Sequence, residues 1–153
     1  MLKIRKMESE SIEQIKQLFK DVFMNEPWND DWSDEEQLHR YILDLTGNAN
    51  SLTFGLFDNE KLFGVSMGNI RHWFTGTEYF IDEFCIMRTE QRQGYGREFL
   101  KQIEAYAAQH GIKSIFLQTG RNMPAYDFYK KNGFAELQEH VSLTKDITFK
   151  KGV

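Results

Sequence analysis

Three runs rich in β-branched and aromatic residues, Leu52 to Phe57, Leu62 to Trp73 and Tyr79 to Met87, follow one another with only short turns between them. The turns Asp58-Asn59-Glu60-Lys61 and Thr75-Gly76-Thr77 predict an antiparallel meander of three hairpin-joined strands. The third run leads instead into a glycine stretch, Gln91 to Arg97, and then a helical pattern with Phe99, Leu100, Ile103, Tyr106 and Ala107 on one face. His110-Gly111 stops that helix, and the apolar run SIFLQT follows. Strand, helix and strand at this length imply a parallel pairing through a crossover. A mixed sheet with helices packed on it is the architecture that holds both halves.

The flanks extend this frame. Leu2 to Arg5 is a short strand candidate, and Ile12, Ile15, Leu18, Phe19, Val22 and Phe23 repeat at helical spacing behind Ser9 or Ser11 as caps. Pro27 interrupts that helix, and Ser33 with Glu36 three residues later reads as a capping box for a second helix through Leu38, Tyr41, Ile42 and Leu45, ended by Gly47. A short helix is expected from about Pro124 to Asn132, capped by Gly133, with a final hairpin from Phe134 to Phe149. The expected class is α+β, a single mixed sheet of about six to seven strands, mostly antiparallel with a central parallel pair, flanked by about four helices. With 153 residues and no break in composition, residues 1–153 are expected to form one domain.

Composition removes several functional classes. The apolar residues never run to the roughly 20 positions of a membrane span, and the first residues lack the apolar stretch of a signal peptide, so a cytoplasmic location without a membrane partner is expected. Cys85 is the single cysteine, and four scattered histidines offer no metal spacing, so neither a disulfide nor a metal is expected. A formal charge of −4 argues against a general nucleic-acid binder. That charge is uneven: Glu26, Asp30, Asp31, Asp34, Glu35, Glu36 and Asp44 face one base, Arg40, whereas Arg88, Arg92, Arg97 and Lys101 gather around the glycines. One region suits a cation and the other an anion.

The glycines have a physical use. The first backbone N–H groups of a helix lack partners within it and lie at the positive end of its dipole, where they bind phosphate oxygens. Gly94 and Gly96 let such a ligand approach the backbone closely. The spacing matches neither common nucleotide loop, since G-x-x-x-x-G-K-[ST] is absent and G-x-G-x-x-G would need glycine at Phe99.

Gln91-x-x-Gly94-x-Gly96 and, about thirty residues on, Asn122-x-x-Ala125-x-x-Phe128-Tyr129-x-x-x-Gly133-Phe134 together resemble the GNAT superfamily of acetyl-coenzyme A-dependent N-acetyltransferases. The pattern is nearest to diamine and aminoglycoside 6'-N-acetyltransferases and covers about residues 79 to 135. The resemblance implies acetyl-coenzyme A as co-substrate. It implies a pyrophosphate loop at Arg92, Gln93, Gly94, Tyr95, Gly96 and Arg97, a pantetheine-pairing strand at Phe84, Cys85 and Ile86, and a contact from Asn122. Tyr129 would be the general acid for the departing thiolate, and a phenol of pKa about 10 suits a thiolate of about 8.5 in a dry site. Seven residues of helix would put Asn122 on the same face as Tyr129.

An acceptor amine must also lose a proton before it attacks. Asp82 and Glu83 interrupt the apolar strand FIDEFCIM, and strand alternation sends them to opposite faces. Asp82 falls where the resemblance places the carboxylate that contacts the reacting amine, which makes it the preferred base or amine anchor, and Glu83 falls where many members carry an acid. Glu26, Trp28, Asp30, Asp31 and Trp32 lie in the part of the chain that forms one wall of the acceptor site in this superfamily. They read either as exposed indoles beside carboxylates, suited to an organic cation, or as packed tryptophans beside a solvated acidic face. Cys85 reads as a small core residue, and His72-Trp73 ends a strand either as part of the cleft lining or as a surface pair. The implied activity is acetyl transfer to a primary amine of a small cationic acceptor, with a protein N-terminus, a lysine peptide or a non-catalytic acyl-coenzyme A sensor as alternatives. A homodimer stays open.

Overall fold

The computed structural model describes residues 1–148. The chain divides into two compact units, one spanning Met1–Thr119 and a second beginning at Gly120.

The first unit holds five strands in sequence order across one sheet: β1 (Leu2–Lys6), β2 (Ser51–Asp58), β3 (Lys61–Trp73), β4 (Gly76–Ile86) and β5 (Ile112–Leu117). The first three neighbouring pairs are antiparallel, and β4 with β5 is parallel. Helices α1 (Ile12–Phe23) and α2 (Glu35–Thr46) lie between β1 and β2 in the chain, and α3 (Tyr95–Gln109) makes the crossover to β5. The meander and crossover therefore stand as the sequence predicts.

Both faces of the sheet are covered, which explains why β2 and β3 read as continuous apolar runs rather than alternating ones. On one face Ile15, Leu18, Phe19 and Val22 of α1 and Leu38 and Ile42 of α2 pack with Val65, Met67 and Cys85. On the other, Phe99 and Ile103 of α3 pack with Phe54, Leu56, Tyr79 and Ile81. Tyr79 is buried, and its hydroxyl donates to the Leu52 carbonyl at 3.0 Å and lies 3.0 Å from Ser66 Oγ. Gly68 makes room for this arrangement, because a Cβ there would collide with the Phe80 carbonyl and the Tyr79 ring.

Two local expectations change. The cap of α2 is Asp34, whose Oδ1 accepts from the Glu36 and Gln37 N–H groups at 3.1 Å each. The helix starts at Glu35, one residue later than a Ser33 cap requires, and the Ser33 hydroxyl is turned back to Asp31, to which it donates at 2.6 Å. The strand count is five among the described residues, below the expected six to seven. The shortfall comes from the tail: no strand is present over residues 134–148, and Phe149 lies outside the described residues.

The second unit contains α4 (Pro124–Lys131). Proline at its first position suits a helix start, and Gly133 with φ +90° ends it, with the Phe134 N–H donating to the Tyr129 carbonyl at 3.1 Å. The Tyr126 hydroxyl donates to Glu136 at 2.8 Å, and Arg121 pairs with the same carboxylate at 2.6 Å.

Candidate functional site

The glycine loop leaves β4 and turns into α3 with Gly94 as its cap, at φ +82°, and no side chain caps the helix. A left-handed cap of this kind favours glycine. The first bond into the helix runs from the Glu98 N–H to the Gly94 carbonyl at 3.1 Å, which leaves the N–H groups of Tyr95, Gly96 and Arg97 at the head of the helix. A Cβ at Gly94 would meet nothing within 4 Å, so the ground before these donors is open. Two contacts fix the loop: Gln91 Nε2 donates to the Ile86 carbonyl at 2.8 Å, and the Tyr95 ring stacks on Phe63 with centroids 5.6 Å apart. Arg92 also holds a positive φ, +63°. Arg88, Arg92, Arg97 and Lys101 form no salt bridge among the described residues. Open backbone donors and uncompensated cations are a donor set that fits a pyrophosphate.

The parallel pairing of β4 with β5 ends at Ile81↔Leu117, and β4 continues to Ile86. Phe84, Cys85 and Ile86 lie on this continuation. Cys85 is buried among apolar residues, which pushes its thiol well up, so it sits there as a core residue. Phe84 faces α3, where its ring lies 5.1 Å from Phe99.

At the start of the continuation the register slips. Met67 pairs with Glu83 and Gly68 with Ile81, so Asp82 is the extra residue of a β-bulge. The bulge overturns the expectation that Asp82 and Glu83 point to opposite faces. Asn69, two residues after the core residue Met67, donates to Asp82 Oδ2 at 3.2 Å. Glu83, two residues before Cys85, accepts at 2.6 Å from the Tyr41 hydroxyl on α2. Both carboxylates therefore lie on the α1/α2 face. Burial raises both above their ordinary range; Asn69 and Arg71 act against it at Asp82, while Tyr41 acts against it at Glu83 and the charges of Asp82 and Asp30 add to it. Arg71 Nε donates to Asn69 Oδ1 at 3.0 Å, fixing the amide with its NH₂ toward Asp82.

The aromatic wall is packed rather than exposed. Trp28 lies 5.4 Å from Phe23, and Trp32 lies edge-on to Phe19 at 5.3 Å and stacks on Tyr41 at 5.1 Å and 18°. The Trp32 Nε1 donor is buried with no partner. Asp31 is committed to Ser33, whose two donors hold its carboxyl below the ordinary range. Asp30 acts on Glu83, whereas Glu26 is exposed. The sequence does not single out Tyr41, Asn69 or Arg71 as site residues. Tyr41 reads there as part of an apolar helix stripe, and only tertiary pairing gives its hydroxyl a carboxylate. An asparagine inside an apolar strand was the available signal for Asn69.

In the second unit, Tyr129 is buried, with Phe128 and Phe134 edge-on at 5.3 and 5.4 Å. Asn122 precedes the helix, which begins only at Pro124, so helical spacing does not put it on the face of Tyr129. Among the described residues no helix is long and apolar enough to cross a membrane, and no group of three metal-ligating side chains occurs.

A mixed sheet whose parallel pair opens beside a glycine-capped helix is the architecture of acyl-coenzyme A N-acyltransferases. The chain belongs to the acetyltransferase (GNAT) family, whose model matches residues 12–134. It is thus an N-acetyltransferase, and the family uses acetyl-coenzyme A as co-substrate. Among solved structures, an aminoglycoside acetyltransferase from an uncultured soil metagenomic sample, in complex with sisomicin, aligns with TM-score 0.70 and 21% identity over 97% of each chain. A possible acetyltransferase from Clostridium difficile 630 gives TM-score 0.81 and 14% identity over 97% of this chain and 99% of that one. AAC(6')-Iy, in complex with a bisubstrate analogue of coenzyme A and acetylneamine, gives 0.71 and 14% over 96% and 99%. No curated protein sequence matches the chain.

Proposed function

We propose that the protein transfers the acetyl group of acetyl-coenzyme A to a primary amine of a small, cationic acceptor by direct attack in a ternary complex. The observation that carries this reading is the bulge at Asp82, which turns two carboxylates to one face of β4 beside the stretch that runs past its last pair with β5. Aminoglycosides, the ligands of two structural neighbours, are amines of this chemical class.

The loop from Arg92 to Arg97 binds the pyrophosphate through backbone N–H groups and arginines, and Phe84, Cys85 and Ile86 lend backbone groups to the pantetheine arm, with Asn122 as a further contact. Asp82 or Glu83 takes one proton from the ammonium, and the freed nitrogen attacks the thioester carbonyl. The C–N bond forms and the C–S bond breaks. Tyr129 gives its proton to the thiolate and regains one from the nitrogen, while the carboxylic acid returns its proton to water. The products are an amide, a thiol and one proton. Asp30, Trp28 and Trp32, with Glu26 and Asp31, form the acceptor side, where negative charge favours cations.

Purified protein mixed with acetyl-coenzyme A and a panel of polyamines, aminosugars, single amines and basic peptides tests this reading through release of free thiol. Release with small polycations is expected. No thermal shift with millimolar acetyl-coenzyme A, together with no thiol release from any amine, would overturn it.

A further inference from the structure

We propose that Tyr41, on α2, is a positioning residue for acetyl transfer: its hydroxyl fixes Glu83 on the acceptor face of β4, where that carboxylate accepts the amine's proton. This rests on the acetyltransfer reading above and deepens it by assigning the proton to Glu83 rather than Asp82.

Three observations carry it. The bond from Tyr41 to Glu83 Oε1, at 2.6 Å, joins positions 42 residues apart and ties the helix wall directly to the carboxylate. The phenol ring is held by its stack on Trp32 and by Phe19 at 5.9 Å, so the hydroxyl has little freedom to leave. Asp82 is held differently, through an amide that also accepts from exposed Arg71, so its neighbourhood already carries a positive charge and its donor is an amide, not a phenol.

The charged and titratable neighbours set the direction of the effect. Asp82 on the same strand and Asp30 before α2 both disfavour charge on Glu83, as does burial; Tyr41 alone among these favours it. Cys85, next on that face, feels the Glu83 charge and Asp21 of α1, and Asp44 acts on Tyr41. Loss of the phenol hydroxyl therefore makes Glu83 harder to ionise. A proton leaves the ammonium nitrogen for a Glu83 oxygen only when that oxygen is already ionised, so the acidic limb of the rate profile reports this group.

The test is the pH dependence of kcat/KM for wild type and Tyr41→Phe with an amine that wild type acetylates. A charge-assisted bond of ordinary strength converts to an upward shift of the acidic limb by about one to two pH units. Acetyl-coenzyme A affinity should stay the same, because the ring and its stack remain. A fluorinated tyrosine at position 41, a stronger donor that keeps the fold should Tyr41→Phe lose it, should shift the limb to lower pH. An unmoved limb in active Tyr41→Phe, or in the fluorinated protein, overturns the assignment. If wild type itself acetylates no amine, it is the acetyltransfer reading that fails.

Discussion

Asp82 and Glu83, adjacent in the chain, share one face of the sheet because Asp82 is the extra residue of a bulge opposite Met67 and Gly68. Ordinary alternation would have put one of them against α3. Instead the Asp82 charge acts on Glu83, and the Tyr41 and Asn69 donors meet the two carboxylates on the α1/α2 side.

Holding two acids together in a half-buried place has a stability signature. Burial raises both pKa values in the folded chain, so from about pH 4 upward the native state holds more protons than the unfolded one. Stability linked to these groups is present below the unfolded values and is lost as pH rises through the folded values. The double variant Asp82→Asn, Glu83→Gln keeps shape and hydrogen-bonding atoms but carries no charge. Its Tm relative to wild type should be more favourable at pH 7 than at pH 4. A difference that does not change with pH would show that the two acids are not destabilised by being charged together.

Gly94 combines φ +82° with open space before its Cα. Gly94→Val places a β-branched residue in a left-handed cap at the head of α3, which strains the loop that presents the helix donors. Acetyl-coenzyme A binding measured by calorimetry should weaken at least about tenfold, the effect of one lost hydrogen bond to a charged oxygen. Undiminished affinity in a folded variant would remove this loop from cofactor binding.

The sequence disclosed what depends on local pattern. The meander, the crossover and the glycine cap are each written in neighbouring residues, and the structure has them. It concealed what depends on pairing between distant segments. Nothing in FIDEFCIM marks the bulge, because the slip is a property of how β4 meets β3 around Gly68. Trp28 and Trp32 could not be sorted between exposed and packed until Phe19, Phe23 and Tyr41 were in place around them. Asp34, not Ser33, caps the helix that starts at Glu35, while the Ser33 hydroxyl turns back to Asp31. The tail carries alternating apolar residues, Val141 and Leu143 among them, yet they stay exposed and form no strand.

Tyr129 is packed between two phenylalanines, so Tyr129→Phe preserves its ring contacts and removes only the hydroxyl. With the best acceptor, kcat should fall by a factor within the roughly 10²–10⁴ range that general acid–base groups supply, and acetyl-coenzyme A affinity should hold. An unchanged kcat would take Tyr129 out of the proton path and leave water as the donor to the thiolate.

Asp30 and Asp31 are neighbours with different commitments, and this separates their expected effects on acceptor choice. Asp31 accepts from the Ser33 N–H at 3.0 Å and the Ser33 hydroxyl at 2.6 Å, so its charge is engaged in the turn that leads to α2. Asp30 instead acts on Glu83, which puts its charge in the field of the proposed acceptor face. An acceptor with two ammonium groups would then be drawn by Asp30 and Asp82 while Glu83 relieves the reacting nitrogen of its proton. Asp30→Asn should raise KM for dications several-fold more than for single amines of similar size, and added salt should shrink the wild-type preference. Asp31→Asn should act mainly on stability, by loosening the turn. Asp82→Asn should raise KM as Asp30→Asn does, because both leave the proton acceptor intact, whereas Glu83→Gln should lower kcat. Steady-state kinetics on the four variants at low and high salt reads all of these effects. Equal KM changes for singly and doubly charged amines would sink the electrostatic account of acceptor choice and leave the acetyltransferase assignment in place.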